Sequence, residues 1–246
     1  MQLMGDGFKR TKRYKQIMND SKVIVALDFS SLDETEVFLK KIKGQDCKVK
    51  VGKELFTNEG PNIIKLIQQY GFEIFLDLKF HDIPNTVSHA IKASCNLGVW
   101  MVNVHASGGK QMMLAAREAV ESSSHKPLLI AVTILTSFDN SSYEELGFKK
   151  DLQEQIAYLA TISEESGMDG IVCSANDIPS IKPLVKEKFQ FITPGIRVVN
   201  SNDDQKRVTS PENAISNGSN YIVIGRPITL SDDPGAVIEK INQRIN

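Results

Sequence analysis

The residues best equipped for chemistry lie in one run, Phe75-Leu76-Asp77-Leu78-Lys79-Phe80-His81-Asp82-Ile83-Pro84-Asn85-Thr86. It begins as an apolar strand and ends with a carboxylate, an ammonium group and a second carboxylate in close succession. Residues two apart in an extended strand point to the same face. Asp77 and Lys79 are therefore expected to project together with Phe75 below them, while Ile74, Leu76 and Leu78 face the other way. Pro84 stops the strand, and a helical pattern follows from about Thr86. Charges at the tip of a buried strand are costly unless paired. The run is thus either a buried ion pair that secures a strand end or a catalytic site. His81 alternates away from Lys79, which suits it to a structural hydrogen bond.

The elements that must position this run follow from the rest of the pattern. From Lys22 onward, apolar strand-like segments at 23–28, 49–52, 73–79, 100–106, 127–135, 170–175, 189–195 and 221–226 alternate with helical ones. The helices are expected at 32–43, 58–70, 86–97, 110–122, 152–166, 178–188, 211–217 and 233–245, with Pro61 in the first turn of the second. Strands apolar on both faces belong to a parallel sheet covered by helices. Repeated βα units over a chain of 246 residues fit a single-domain (β/α)8 TIM barrel. A doubly wound open sheet normally carries a glycine-rich turn after its first strand. Here that turn reads Leu27-Asp28-Phe29-Ser30-Ser31, without glycine. The barrel domain is assigned to 22–246. Residues 1–21 form a basic extension carrying Lys9, Arg10, Lys12, Arg13 and Lys15; a flexible leader explains it more economically than an arm for an anionic partner.

Composition removes several classes of function. Lys+Arg of 29 against Asp+Glu of 30 creates no global field for nucleic acid or an acidic membrane. The 3 cysteines, Cys47, Cys95 and Cys173, are too widely spaced for a disulfide framework or a zinc site. No apolar run reaches membrane length, and the N-terminal segment lacks a signal-peptide core, so a cytoplasmic protein is expected.

A barrel collects the polar residues at its strand ends into one mouth. Asp28, Lys50, Asp77, Lys79, His105 with Ser107, Thr136 with Ser137, Ser174, Arg197 and Arg226 all fall there. Singly, each has an ordinary structural explanation, such as a helix cap for Ser107 or Ser174. Two aspartates and two lysines converging on one rim are harder to explain that way. The last two strands close with Thr193-Pro194-Gly195-Ile196-Arg197 and Ile224-Gly225-Arg226-Pro227-Ile228. Barrels commonly hold phosphate at that point, where glycine lets backbone N–H groups approach an anion and arginine adds a charged contact. Two tight turns that need glycine are the structural alternative.

Asp77-Leu78-Lys79-Phe80-His81-Asp82-Ile83-Pro84-Asn85-Thr86 resembles the signature of the orotidine 5′-phosphate decarboxylase family. Val25-Ala26-Leu27-Asp28, Lys50 to Phe56, Leu135-Thr136-Ser137, Thr193 to Arg197, Asp204-Gln205-Lys206-Arg207 and Ile224 to Thr229 follow in the family's order, so the similarity spans about residues 22–240. The resemblance implies a cofactor-independent enzyme that converts orotidine 5′-monophosphate to UMP and carbon dioxide, the last step of pyrimidine synthesis. It implies that Lys79 protonates C6, that Asp77 lies against the substrate carboxylate, and that Asp28 and Lys50 bind the ribose hydroxyls. Thr136, with Ser137, would contact the base, and Arg197, Gln205, Gly225 and Arg226 the phosphate. Asp82 and Thr86 would serve the neighbouring site of a homodimer, completing a Lys50–Asp77–Lys79–Asp82 network, and residues 198–206 would form the lid.

Physical reasoning supports this independently. Loss of carbon dioxide leaves an electron pair in the ring plane, beyond reach of the π-system, and most decarboxylases use a cofactor as the electron sink. The sequence offers no metal-ligand spacing or cofactor motif. Electrostatics remains: flanking carboxylates favour a lysine's cation, which can face a carbanion as it forms. A related barrel acting on a sugar phosphate with magnesium, and a barrel that only binds nucleotides, are the competing readings. The segments around Lys50 and Gln205 favour the nucleotide enzyme.

Overall fold

The computed structural model describes residues 21–197 and 209–246. The basic extension up to residue 20, and the whole of the expected lid, 198–206, with Gln205 in it, lie outside the described residues.

Eight parallel strands close into a barrel in sequence order: β1 (Val23–Leu27), β2 (Lys48–Val51), β3 (Ile74–Phe80), β4 (Met101–His105), β5 (Leu128–Val132), β6 (Gly170–Val172), β7 (Gln190–Thr193) and β8 (Tyr221–Ile224). Pairing of Val23 with Ile222 closes the ring. Strand alternation builds two cores. Ile24, Ala26, Phe75, Met101, Ile130, Ile192 and Val223 fill the barrel interior. Val23, Val25, Leu27, Leu76, Val102 and Val104 point outward under the helices. Both faces of each strand are thus buried, which is why the strands read as nearly continuous apolar runs.

Local side chains set some of the helix starts. Ser31 caps the helix Leu32–Lys41 by accepting from the Glu34 N–H at 3.3 Å. Asp151 accepts from Glu154 N–H at 2.8 Å to open Leu152–Glu165. Three expectations are corrected. The helix expected over 58–70 is two helices, Lys53–Glu59 and Pro61–Gln69, separated by Gly60 in a conformation (φ 57°, ψ −146°) that breaks the ladder. The helix expected to reach 188 stops as Ile178–Ile181 followed by one 3₁₀ turn, Lys182–Leu184. Pro183 lacks the N–H that a longer helix needs. The fifth strand ends at Val132 rather than 135, so Thr136 and Ser137 lie in the loop above the barrel, followed by an unexpected short helix, Asn140–Glu144. Among the described residues no helix is long and apolar enough to cross a membrane.

β2 reads Lys-Val-Lys-Val, and both lysines point into the barrel because Val49 and Val51 take the outward face. Lys48 closes the N-terminal end, 3.1 Å from Glu73 and 5.0 and 5.5 Å from the ring centroids of Trp100 and Tyr221. Lys50 is one pleat further on, at the opposite mouth.

Candidate active site

At that mouth four charges alternate in sign. Asp28 follows the end of β1, and its Oδ1 lies 3.5 Å from Lys50 Nζ. Lys50 Nζ is 3.4 Å from Asp77 Oδ2, and Lys79 Nζ donates to Asp77 Oδ1 at 2.6 Å. The inner three are well covered, with side-chain exposures of 12% for Lys50, 12% for Asp77 and 23% for Lys79, while Asp28 is 64% exposed. Both possibilities raised by the Phe75–Thr86 run are therefore compatible: the ion pair exists, and it faces a cavity.

The route by which Asp77 and Lys79 reach the cavity differs from the regular alternation expected. β3 pairs with β4 at Leu76↔Val102 and again at Phe80↔Val104. Four steps on one strand thus match two on the other, so β3 carries a bulge of two extra residues. Inside it Lys79 has φ 54°, the one non-glycine residue with positive φ among those described. Left-handed backbone in a lysine costs about 1–3 kcal/mol and persists only when its surroundings enforce it. Asn103, fully buried on the inner face of β4, supplies that support. Its Oδ1 accepts the Lys79 backbone N–H at 2.8 Å, and its Nδ2 donates to Asp77 Oδ1 at 2.7 Å.

Burial pushes the Asp77 carboxyl toward protonation, but the charges of Lys50 and Lys79 and the hydrogen bonds from Lys79 and Asn103 outweigh it, so its pKa lies below the ordinary value. His105, at the end of β4, is pushed down to about 4 by burial first and then by the neighbouring charges of His81, Lys79 and Lys53. It is neutral at physiological pH. Its ring centroid lies 5.5 Å from that of His81.

The array forms one wall of a cavity of about 320 Å³. Thr136 and Ser137 line it from the loop after β5, and Arg197, Gly225 and Arg226 from beyond β7 and β8. Ala26, Phe75, Val132, Val172 and Val223 make an apolar floor. The two glycines are not equally required. Gly195 has φ 78°, a turn requirement. At Gly225 an added Cβ would lie 3.4 Å from Asp28 Oδ2 and 3.6 Å from the Ala26 Cβ, ordinary contact distances, so space alone does not demand glycine beside the aspartate. Beyond β7, Ile196 bridges Thr209, and the Arg197 N–H donates to the Thr209 carbonyl at 2.9 Å.

Asp82 and Thr86 do not line the cavity of their own chain. Both are exposed, and Asp82 Oδ1 accepts the Ile83 N–H at 2.7 Å. Ser174 is buried in the turn after β6, where its backbone N–H donates to Asp177 at 3.3 Å; it is not the expected helix cap, since Asp177 holds the N-cap position of the helix that follows. All three cysteines are buried, and burial followed by the charge of Asp46 pushes the Cys47 thiol up to about 12, out of the reactive range. Sequence reasoning missed Asn103. The available signal was a polar amide at an inward position of an otherwise apolar strand, Met101-Val102-Asn103-Val104.

The closed barrel and the paired carboxylates and ammonium groups around a cavity at its C-terminal mouth define a TIM-barrel enzyme site. Residues 21–241 match the family model described as "Orotidine 5'-phosphate decarboxylase / HUMPS family", and the chain belongs to that family. It is 51% identical over 230 residues to the orotidine 5′-phosphate decarboxylase of Photobacterium profundum, covering 93% of this chain and 100% of that one. It is 50% identical over 223 residues to that of Saccharophagus degradans, covering 90% of this chain and 94% of the relative. The crystal structure of orotidine 5′-phosphate decarboxylase from Lactobacillus acidophilus superposes with a TM-score of 0.82 at 40% identity, covering 91% of this chain and 98% of that one.

Proposed function

We propose that this chain is a carboxy-lyase that converts orotidine 5′-monophosphate to UMP and carbon dioxide without a cofactor, as the final step of UMP synthesis. The observation that carries the reading is the Asp28–Lys50–Asp77–Lys79 array on the wall of the cavity. The C6–carboxylate bond breaks, its electron pair stays on C6, and the Lys79 ammonium delivers a proton there; solvent later restores the proton to Lys79. A cation already held at the point where negative charge develops stabilises the transition state without reorganisation. Asp77 faces the departing carboxylate, and release of carbon dioxide relieves their repulsion.

The remaining lining fits the rest of the substrate. Asp28 and Lys50 present hydrogen-bonding groups for ribose hydroxyls, Thr136 and Ser137 for the base, and Arg197, Gly225 and Arg226 for the phosphate. Phosphate binding far from C6 lets remote binding energy position the ring. The working unit is a homodimer in which Asp82 and Thr86 enter the partner's cavity. Their exposure, and the fact that neither lines the cavity of its own chain, support this.

Loss of orotidine monophosphate absorbance tests the reaction directly. Turnover with no added cofactor and unchanged by a chelator is expected. Chelator-sensitive activity on a sugar phosphate in place of the nucleotide would move the chain to the magnesium-dependent branch of such barrels.

A further inference from the structure

We propose that Asn103 is a positioning residue for the reaction, whose one amide both holds Lys79 in its left-handed bulge and orients the Asp77 carboxylate toward it. The inference rests on the decarboxylase reading above and adds a residue which that reading does not use. Asn103 is fully buried and does not line the cavity, so it acts through its two neighbours rather than on substrate.

Three observations converge on it. The bulge removes Lys79 from the β3–β4 ladder, so its backbone N–H needs an acceptor other than a strand carbonyl. Asn103 Oδ1 is that acceptor, at 2.8 Å. The other end of the same amide donates to Asp77 Oδ1, the oxygen that also receives the Lys79 ammonium at 2.6 Å. The amide orientation is dictated by the partners: a backbone N–H demands an oxygen and a carboxylate demands an N–H, so the flipped amide would place like against like at both ends. A planar side chain with an acceptor and a donor on one carbon is required. Leucine would supply neither, and aspartate would supply two acceptors.

Backbone and side chain of Lys79 are thereby fixed by one group. Its N–H is pinned by Asn103 directly, and its Nζ is pinned by a carboxylate that Asn103 itself holds. Loss of the amide frees the bulge to relax toward ordinary extended backbone, and the ammonium moves with it.

The test uses full-length wild type, Asn103→Ala and Asn103→Asp, with kcat and KM for orotidine monophosphate and calorimetric binding of UMP. Removal of a hydrogen bond to a charged group predicts a fall in kcat of about 10- to 100-fold for Asn103→Ala. KM and UMP affinity should stay within about threefold, because Asn103 contacts no group proposed to hold ribose or phosphate. Asn103→Asp gives the readout that packing alone cannot. Ionised, the introduced carboxylate faces Asp77 without a donor; protonated, it regains one donor and one acceptor in nearly the original shape. Its proton is shared with Asp77 in a setting that also contains Lys79 on β3, Lys50 on β2, Asp28 after β1 and His105 on β4. Two carboxylates that close raise one another's affinity for a proton. The ratio of Asn103→Asp to wild-type kcat should therefore rise as pH falls from about 8 to about 5.

Wild-type kcat in Asn103→Ala, a loss confined to KM, or a flat Asn103→Asp ratio would each overturn the inference while leaving the decarboxylase reading intact. If Asn103→Ala does not fold, the pH dependence of Asn103→Asp decides alone. An inactive wild type overturns the reading, and the inference with it.

Discussion

Replacing Asp77 by asparagine removes one negative charge from the barrel mouth and almost no volume. The wild-type carboxylate lies 2.6 Å from one ammonium and 3.4 Å from another, with its side chain 12% exposed. Removing one partner of a buried ion pair typically costs about 3–5 kcal/mol, because the other charge is left buried. Two features reduce that here. Lys50 keeps Asp28 at 3.5 Å, although that carboxylate is 64% exposed and its attraction is weakened by solvent. Lys79 is 23% exposed and can turn partly to water, while the new amide oxygen still accepts a hydrogen bond. The expected cost is about 2–4 kcal/mol at neutral pH. For a domain of this size that is a fall in Tm of about 4–16 °C, measured by circular dichroism or calorimetry.

The pH dependence makes the test specific to charge. The folded-state pKa of Asp77 is depressed below its unfolded value, so the stability it contributes is fully present above the unfolded value of about 3.9. That stability is lost as pH falls through the folded-state value. The gap between wild type and Asp77→Asn should hold from about pH 7 to about pH 5, and narrow as pH falls through about 4 and below. Equal stability at pH 7 would refute the view that Asp77 is the keystone of the array. A gap that persists unchanged in acid would show that shape or hydrogen bonding, not charge, causes the loss.

Three further outcomes are expected. Lys79→Ala should lower kcat by at least about 10⁴-fold yet retain UMP binding by calorimetry; near-normal turnover would remove Lys79 from the chemistry. In mixed dimers of Asp82→Ala and Lys79→Ala subunits, one site carries both lesions and the other neither, so about half of the wild-type activity per dimer should return, and no recovery would mean that each subunit builds its own site. Gly170→Ala should destabilise the fold by about 3 kcal/mol or more, because the added Cβ would lie 2.2 Å from the Gln190 carbonyl oxygen; an unchanged urea midpoint would show that β6 and β7 can separate without penalty.

Much of this site was legible because strand alternation and barrel topology are simple rules. Val23 to Leu27 carries no polar residue, so Asp28 had to be the first polar group past a strand end. Lys48 and Lys50 are separated by one outward valine, so one parity decides both. The bulge was not legible. Asp77-Leu78-Lys79-Phe80 holds no glycine or proline to announce a left-handed residue, and its support comes from Asn103 on the next strand, a contact that no local pattern encodes. The break at Gly60 is of another kind: Gly60-Pro61 is a local turn signal, and the backbone there took a conformation reached most easily by glycine. Gln205 lies outside the described residues, and the expectation for it stands on the resemblance alone.

The order of the four charges bears on why one of them would be the proton donor. Lys50 has carboxylates on both sides, Asp28 and Asp77, and its hydrogen-bonding capacity is divided between them. Lys79 has one carboxylate partner among the described residues of this chain. A terminal cation held by one fixed carboxylate keeps two N–H groups for the cavity, whereas Lys50, between two carboxylates, keeps one. On the proposed reading the partner subunit's Asp82 approaches that open side, so a second negative charge arrives only on assembly. The bulge serves the same end. A regular strand would place Lys79 one pleat above Asp77, whereas the left-handed residue changes the path of the chain between them and is held by a bond from β4. The cost of that conformation, about 1–3 kcal/mol, is offset by the stability of the ion pairs, so the geometry needed for chemistry and the energy that maintains it reside in the same few residues.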